Sequence, residues 1–343
     1  MRRAAALVMA LVLASGIGIA LAASTLWRPV LIESSRVYRV EQGTSATGLA
    51  FRLRSEGLVD VPGFVLRIYA RLTEGSGFVR AGEYLVTPGM STVDLFALFR
   101  SGKVYLRDIT FPEGWTFREW RRHLAAQAYV TSTIDTMSDH DIMVSLGQGD
   151  VPAEGQFFPD TYHFERGETD LAILSRAHRA MIAKLDLAWR TRSSLGIPAT
   201  EYDALILASI IEKESGYEPD RAKIAGVFVN RLRDRIRLQS DPTVIYGIDD
   251  FDGDLTRADL KAETPYNTYL NFGLPPTPIC NPGISAIEAA MNPEIHNYYY
   301  FVARGDGSSE FSETLQEHNQ AVIRYQKSGR VKSYRSSPEA RSH

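Results

Sequence analysis

The run from Ala4 to Ala23 holds about 20 residues without a charge, the length that a hydrocarbon core demands of a helix. Arg2 and Arg3 precede it, and Trp27 and Arg28 follow. No other segment constrains the chain as much, because so long an apolar stretch must be covered by lipid or removed. Residues 4–26 are read as one transmembrane helix. The positive-inside rule puts residues 1–3 in the cytoplasm and the remainder outside, against the opposing pull of Arg28, Arg36 and Arg39. A cleaved signal peptide is the competing reading, since Ala20-Leu21-Ala22 resembles a small-residue cleavage site. The run exceeds a usual signal core, which favours the anchor. Either way the bulk of the chain is exported.

The remainder is an ordinary globular sequence. At 343 residues, 44% hydrophobic and 23% charged, it can bury a sizeable core and divide into two or three domains. A net charge of −3 gives no basic field, and no nucleic-acid-binding motif interrupts the chain, so no nucleic acid partner is expected. The single cysteine, Cys280, rules out an intrachain disulfide framework and any CxxC site, and reads as a small buried residue.

Three stretches, 40–59, 86–104 and 110–130, each run from a strand-like end through a glycine turn to Ser or Thr and then an amphipathic helix. Thr44, Ser91 and Thr116 are candidate N-caps, because their side-chain oxygens can accept from unpaired backbone N–H groups. Gly57 and Gly102 stand where helices would stop. "RVYRV" (36–40), "GEYLV" (82–86) and "VYLRDITF" (104–111) are the strand candidates. The region therefore reads as small α+β units. Further on, Leu171, Leu174, Ala177, Met181, Leu185 and Ala188 recur at helical intervals with basic residues between them, predicting an exposed amphipathic helix closed by Gly196 and Pro198. His163 and His178 lack an HExxH pattern or clustered partners, so they read as surface or hydrogen-bonded histidines, and no metal site is expected.

"ILASIIEKESG" (206–216) ends an apolar run with two glutamates two positions apart. On a helix such residues cannot share a face. Leu207, Ile210, Ile211 and Glu214 fall at i, i+3, i+4 and i+7, so Glu214 continues the bulky apolar stripe. Glu212 follows Leu205, Ala208 and Ser209, a side where it can pair with a base or a hydroxyl. Gly216 is the expected left-handed stop. Glu214 then lies in the last turn, shielded from water and at the negative end of the helix dipole. Both effects raise a carboxyl pKa and suit it to donate a proton near neutrality. The plainer alternative, which periodicity alone leaves open, is an ion-paired or solvated terminal glutamate.

The stretches 227–248, 264–283 and 297–322 are dense in Asn, Gln, Tyr, Thr and Pro. Glycans present hydroxyls above apolar ring faces, so a cleft that holds them combines amides and carboxylates with aromatic platforms. Tyr246, Tyr266 and Tyr269 are candidate platforms, with Gln239, Asp241 and Asn267 as hydrogen-bonding partners. Ordinary core packing is the alternative for each tyrosine taken alone.

"ASIIEKES", "RLQSDPTVIYG", "TPYNTY" and "GLPP...NPG", in this order and after "EGQFFPDTY" (154–162), resemble the endolytic murein transglycosylases of the YceG-like family. The resemblance covers nearly the whole chain to about residue 326. It implies an α+β protein with an N-terminal membrane helix and a small LysM-like subdomain at 36–105. A connecting α+β segment at 106–165 would lead into a mixed α+β catalytic domain at 166–326 with a lysozyme-like catalytic helix. It places the chain in the inner (cytoplasmic) membrane as a single-pass protein, with the catalytic part periplasmic or extracytoplasmic. The polar tail 327–343 lies beyond the match and reads as disordered.

In that family the catalytic glutamate is the second of an E-x-E pair followed by Ser or Thr, here Glu214 followed by Ser215. Gln239, Asp241, Tyr246, Tyr266 and Asn267 are assigned to substrate binding, without a cofactor or metal. The expected partners are peptidoglycan glycan strands, the inner membrane and a peptidoglycan synthase. The stretch "TPIC" after "GLPP" is variable and leaves that wall of the cleft undefined. Two other classes stay open: a glycan-binding scaffold in which Glu214 is idle, and a hydrolase using Asp241 as a second carboxylate. Glu214→Gln is expected to abolish cleavage, and Glu212→Gln to cost much less.

Overall fold

The computed structural model describes residues 2–74 and 79–327. The tail expected to be disordered lies, apart from Lys327, outside the described residues. The chain divides into two units. One takes the residues up to 107 together with 163–167; the other takes 108–162 together with the residues from 168 onward. Residues 108–162 thus group with the later part of the chain rather than forming a separate connecting body.

The first unit begins with α1 (Arg2–Ser24). Ala5–Trp27 is long and apolar enough to cross a membrane, a property shared by anchors and signal sequences, and residues 5–21 are exposed throughout. Beyond it, β1 (Arg36–Val40) pairs antiparallel with β2 (Gly82–Val86), Tyr38 opposite Tyr84. Between the strands run α2 (Ala46–Ser55) and α3 (Gly63–Glu74), and α4 (Thr92–Ser101) follows β2. Residues 38, 40, 84 and 86 share the inward face, as period 2 requires, while Glu83 on the other face is buried as well. Tyr84 therefore points into a core with Leu49, Leu53, Leu66, Phe96 and Phe99, all buried.

Helix ends in this unit follow the chemistry of their caps. Ser91 forms a capping box with Asp94, and Gly102 closes α4 in the left-handed region at φ 69°. The cap of α2 is Ser45 rather than the expected Thr44. Ser45 Oγ accepts from Gly48 N at 3.0 Å, while Thr44 spends its N–H on the Glu41 carbonyl of the preceding turn.

The chain passes between units within β3 (Arg107–Thr110), within β4 (Thr161–Phe164) and again after Gly167. Of the long candidate at 104–111, only these four central residues become strand. In the second unit, Thr116 caps α5 (Phe117–Ala125) through a box with Glu119, and α6 (Asp139–Ser145) follows. Helix α7 (Asp170–Arg190) is less exposed than its basic residues suggest: Ile173, Leu174, Ala177, Met181 and Ala188 are buried. His178 is buried too, with Nδ1 2.9 Å from the Gln156 carbonyl, and His163 is exposed.

At the centre of this unit lies α8 (Glu201–Glu214), started by a capping box between Thr200 and Asp203. Every residue from Ala204 to Ile211 is buried. A helix apolar on all sides belongs inside a core rather than on its edge. α8 is surrounded by α7, α9 (Glu218–Arg233), α10 (Asp241–Tyr246) and α11 (Ile284–Met291). Each of Leu207, Ile210 and Ile211, wholly removed from water, contributes about 1.5–3 kcal/mol. The hairpin β5 (Tyr300–Ala303) and β6 (Ser309–Ser312), with Phe301 opposite Phe311, precedes α12 (Leu315–Val322).

Candidate active site

Glu214 is the last residue of α8. The helix ends through Ser215, which is extended at φ −143° and ψ 121°, and not through a left-handed Gly216 as the sequence suggested. Ser215 Oγ accepts from Tyr217 N at 3.1 Å, so the exit is satisfied by a side chain and needs no glycine. The carboxyl of Glu214 faces a cleft of about 340 Å³ lined also by Arg231, Gln239, Asp241, Tyr269 and Tyr300.

Burial is the main reason that the Glu214 pKa is raised from 4.5 to about 7. The charge of Asp241 pushes the same way. The hydrogen bond from Ser240 and the charge of Arg231 oppose it. That hydrogen bond runs from Ser240 Oγ to Glu214 Oε1 at 2.6 Å and fixes one oxygen, leaving Oε2 to carry or receive a proton. A carboxyl that titrates near neutrality can act as acid and then as base within one turnover.

Glu212 lies on another face, as the spacing required. Its Oε1 is 2.7 Å from Arg221 Nη2, and its Oε2 accepts from Gly283 N at 3.0 Å. Both Glu212 and Arg221 are nearly buried, so the pair holds the end of α8 to α9 and to the start of α11. Its carboxylate is committed to structure.

The wall opposite Glu214 is built from α9 and the loop after it. Arg231 is 7% exposed, and its hydrogen bonds go to neutral carbonyls: Nε to Tyr299 O and Nη1 to Leu238 O, both 2.7 Å. This fixes the guanidinium plane while leaving its positive charge to act on the cleft. Gln239 adopts a left-handed backbone at φ 52°, a cost of about 1 kcal/mol or more for a residue with a Cβ. Two bonds to one residue hold it there, Gln239 N to Thr268 O at 3.1 Å and Ser240 N to Thr268 Oγ1 at 3.0 Å. The strained turn delivers Gln239 and Asp241 to the cleft and the buried Ser240 hydroxyl to Glu214. Asp241 Oδ1 accepts from Tyr269 Oη at 2.5 Å.

Of the residues assigned to substrate from sequence, Gln239 and Asp241 join Glu214 in this cleft, and Tyr269 lines it as well. Asn267 does not line it. It is wholly buried, and its amide donates to Ala262 O at 2.7 Å and Leu260 O at 3.2 Å, while its Oδ1 accepts from Tyr269 N at 2.9 Å. Its polar atoms are consumed in shaping the loop that carries Thr268 and Tyr269. Tyr246 and Tyr266 face a second cleft, with Glu154. Arg231, Ser240 and Tyr300 were missed. Arg231 is one of four arginines in seven residues, and only the helical phase of α9 turns it inward while Arg233, Arg235 and Arg237 stay exposed.

The profile of the YceG-like family matches residues 38–324. An endolytic murein transglycosylase of Bacillus subtilis is 32% identical over 305 residues, covering 83% of this chain and 83% of the relative. A protein of the same name from Streptococcus pneumoniae is 28% identical over 320 residues, covering 83% of this chain and 57% of the longer relative. Among solved structures, a yceG-like protein from Listeria monocytogenes superposes with a TM-score of 0.53 at 29% identity, covering 84% of this chain and 99% of its own. With a profile spanning most of its length and a relative above 30% identity, the chain belongs to the YceG-like family.

Proposed function

We propose that this chain is an endolytic lytic transglycosylase of peptidoglycan, held at the inner membrane by α1 with its second unit on the outer side, and that Glu214 is its sole acid and base. The reading is carried by one observation: a water-shielded carboxyl with a pKa of about 7 in a cleft lined by amide, carboxylate, guanidinium and tyrosine groups. Family membership and the name shared by the two curated relatives support it. The β-α-α-β order of β1, α2, α3 and β2 supports a LysM-like reading of the first unit. The end of α8 serves as the lysozyme-like catalytic helix.

In the reaction, protonated Glu214 gives its proton to O4 of the leaving N-acetylglucosamine as the bond from C1 of N-acetylmuramic acid breaks. The 6-hydroxyl of the same N-acetylmuramic acid attacks C1, and its proton passes to the Glu214 carboxylate. The products are a 1,6-anhydro end and a free 4-hydroxyl, with Glu214 reprotonated and no water consumed. One carboxyl suffices because the nucleophile is intramolecular, which brings a high effective molarity. Asp241, held by Tyr269, contributes negative charge beside Glu214 and beside the cationic transition state. Gln239 offers its side-chain amide to the sugar. Cleavage within strands near the membrane would limit the length of newly made glycan, with a peptidoglycan synthase as the partner that supplies it.

Digestion of purified glycan strands with product mass spectrometry tests this reading. Anhydro ends are expected. Reducing ends would favour a hydrolase with Asp241 as the second carboxylate, and intact strands would favour a scaffold.

A further inference from the structure

The cleft that holds Tyr246 and Tyr266 is separate from the one at Glu214 and has a volume of about 430 Å³. Its walls bring together Glu154, Arg118, Thr277 and the two tyrosines. Glu154 is only 9% exposed. Its Oε1 accepts from Phe117 N and its Oε2 from Tyr246 Oη, each at 3.0 Å. Burial raises its pKa to about 7, against the hydrogen bonds from Phe117 and Tyr246 that favour the carboxylate.

The tyrosines are held as rigid plates. The Thr277 hydroxyl donates to Pro278 O at 2.8 Å and so accepts from Tyr266 Oη at 2.9 Å. Both phenol hydroxyls are thus tethered, and the rings meet edge to face with centroids 4.8 Å apart. Aromatic surface fixed before a ligand arrives costs little entropy on binding. Arg118 is exposed beside them, a flexible cation with donors for hydroxyl or carbonyl oxygens.

Helix α10 connects the two clefts. Its first residue, Asp241, lines the Glu214 cleft, and its last, Tyr246, lines the second. Five residues of helix rise separate them, about 7.5 Å along the axis. A further groove along this helix is bordered by Pro242, Ile245, Tyr246 and Arg118, so it shares residues with the second cleft and begins next to Asp241. A β-1,4 glycan covers such a distance in a few sugars.

We infer that the Glu154, Tyr246 and Tyr266 cleft is a distal sugar subsite, which holds an N-acetylhexosamine of the same glycan strand whose scissile bond lies at Glu214. The inference rests on the reading of the Glu214 cleft as glycan-cleaving. It adds that this enzyme grips a strand at two places, which favours internal segments over short ends. Tyr246 and Tyr266 therefore keep a role with substrate, away from the reacting bond.

The test uses the full-length Glu214→Gln protein in detergent, titrated calorimetrically with β-1,4-linked N-acetylglucosamine oligomers from the disaccharide to the octasaccharide. Long oligomers are expected to bind about tenfold tighter than the disaccharide, a stacking-sized gain. Adding Tyr266→Ala should collapse that gain, and so should Arg118→Ala, whose exposed side chain can be removed without disturbing the core. Affinity independent of length overturns the subsite, as does a gain that survives both substitutions in folded protein. The reaction is read separately from the products of the unsubstituted enzyme on glycan strands. Length-dependent binding lost in both variants supports the subsite even where no anhydro ends form, and flat binding in an enzyme that does form them overturns the subsite alone.

Discussion

Replacing Glu214 with Gln should make the protein more stable above neutrality while removing its activity. The folded pKa of about 7 lies above the unfolded value near 4.5, so the folded chain binds more protons between those two pH values. Stability therefore falls as pH rises through that window, and the full cost of ionising the buried carboxyl is present above pH 7. The rise from 4.5 to about 7 corresponds to about 3 kcal/mol, at about 1.36 kcal/mol for each tenfold change in proton affinity. Gln has nearly the same shape, keeps an oxygen for Ser240 Oγ and never ionises. Urea unfolding of wild type and variant in detergent, followed by near-UV circular dichroism, should give equal stability below about pH 4.5. The variant should gain up to about 3 kcal/mol near pH 8. Glu154 has a similar shift, but it is present in both proteins and cancels in the difference. A gain independent of pH, or a loss above pH 7, would refute the claim that Glu214 is held in a poorly hydrated place.

Three other substitutions probe the same design. Ser240→Ala removes a hydrogen bond that favours the carboxylate, worth about 1.5 kcal/mol, so the alkaline limb of kcat/KM should move up by about one pH unit; a limb that stays or falls contradicts the assignment. Glu212→Gln leaves Arg221 buried without its carboxylate and should cost about 3 kcal/mol of stability, while folded molecules still release anhydro ends; full stability with lost turnover would reverse the roles of the two glutamates. Arg231→Lys cannot reproduce the fork that reaches both Tyr299 O and Leu238 O, and turnover should fall about tenfold or more; unchanged kinetics would exclude the guanidinium from the site.

The two strands of the first unit and two of the three N-caps named from sequence, Ser91 and Thr116, were legible because they depend on local chemistry. "RVYRV" and "GEYLV" carry the β-branched and aromatic residues that suit strands, and Ser91 with Asp94 is a local capping box. The face of Glu214 was legible too, since a period of 3.6 separates it from Glu212 without knowledge of any neighbour. Pairings across long separations were not: Ser240 reaches Glu214 from 26 residues away, and Tyr246 reaches Glu154 from 92. Residue type alone also misled at Asn267, where an amide suited to sugar hydroxyls is instead consumed by loop carbonyls. A polar residue in a buried loop satisfies the backbone before it can serve a ligand.

The central claim is that one carboxyl performs both proton transfers and that the sugar closes on itself. Glycan strands digested side by side with wild type, Glu214→Gln and Asp241→Asn, with every new end assigned by mass spectrometry, test it most directly. The account predicts 1,6-anhydro ends from wild type, none from Glu214→Gln, and ends still of the anhydro form, made more slowly, from Asp241→Asn. Hydrated reducing ends from wild type, or anhydro ends persisting without the Glu214 carboxyl, would contradict it.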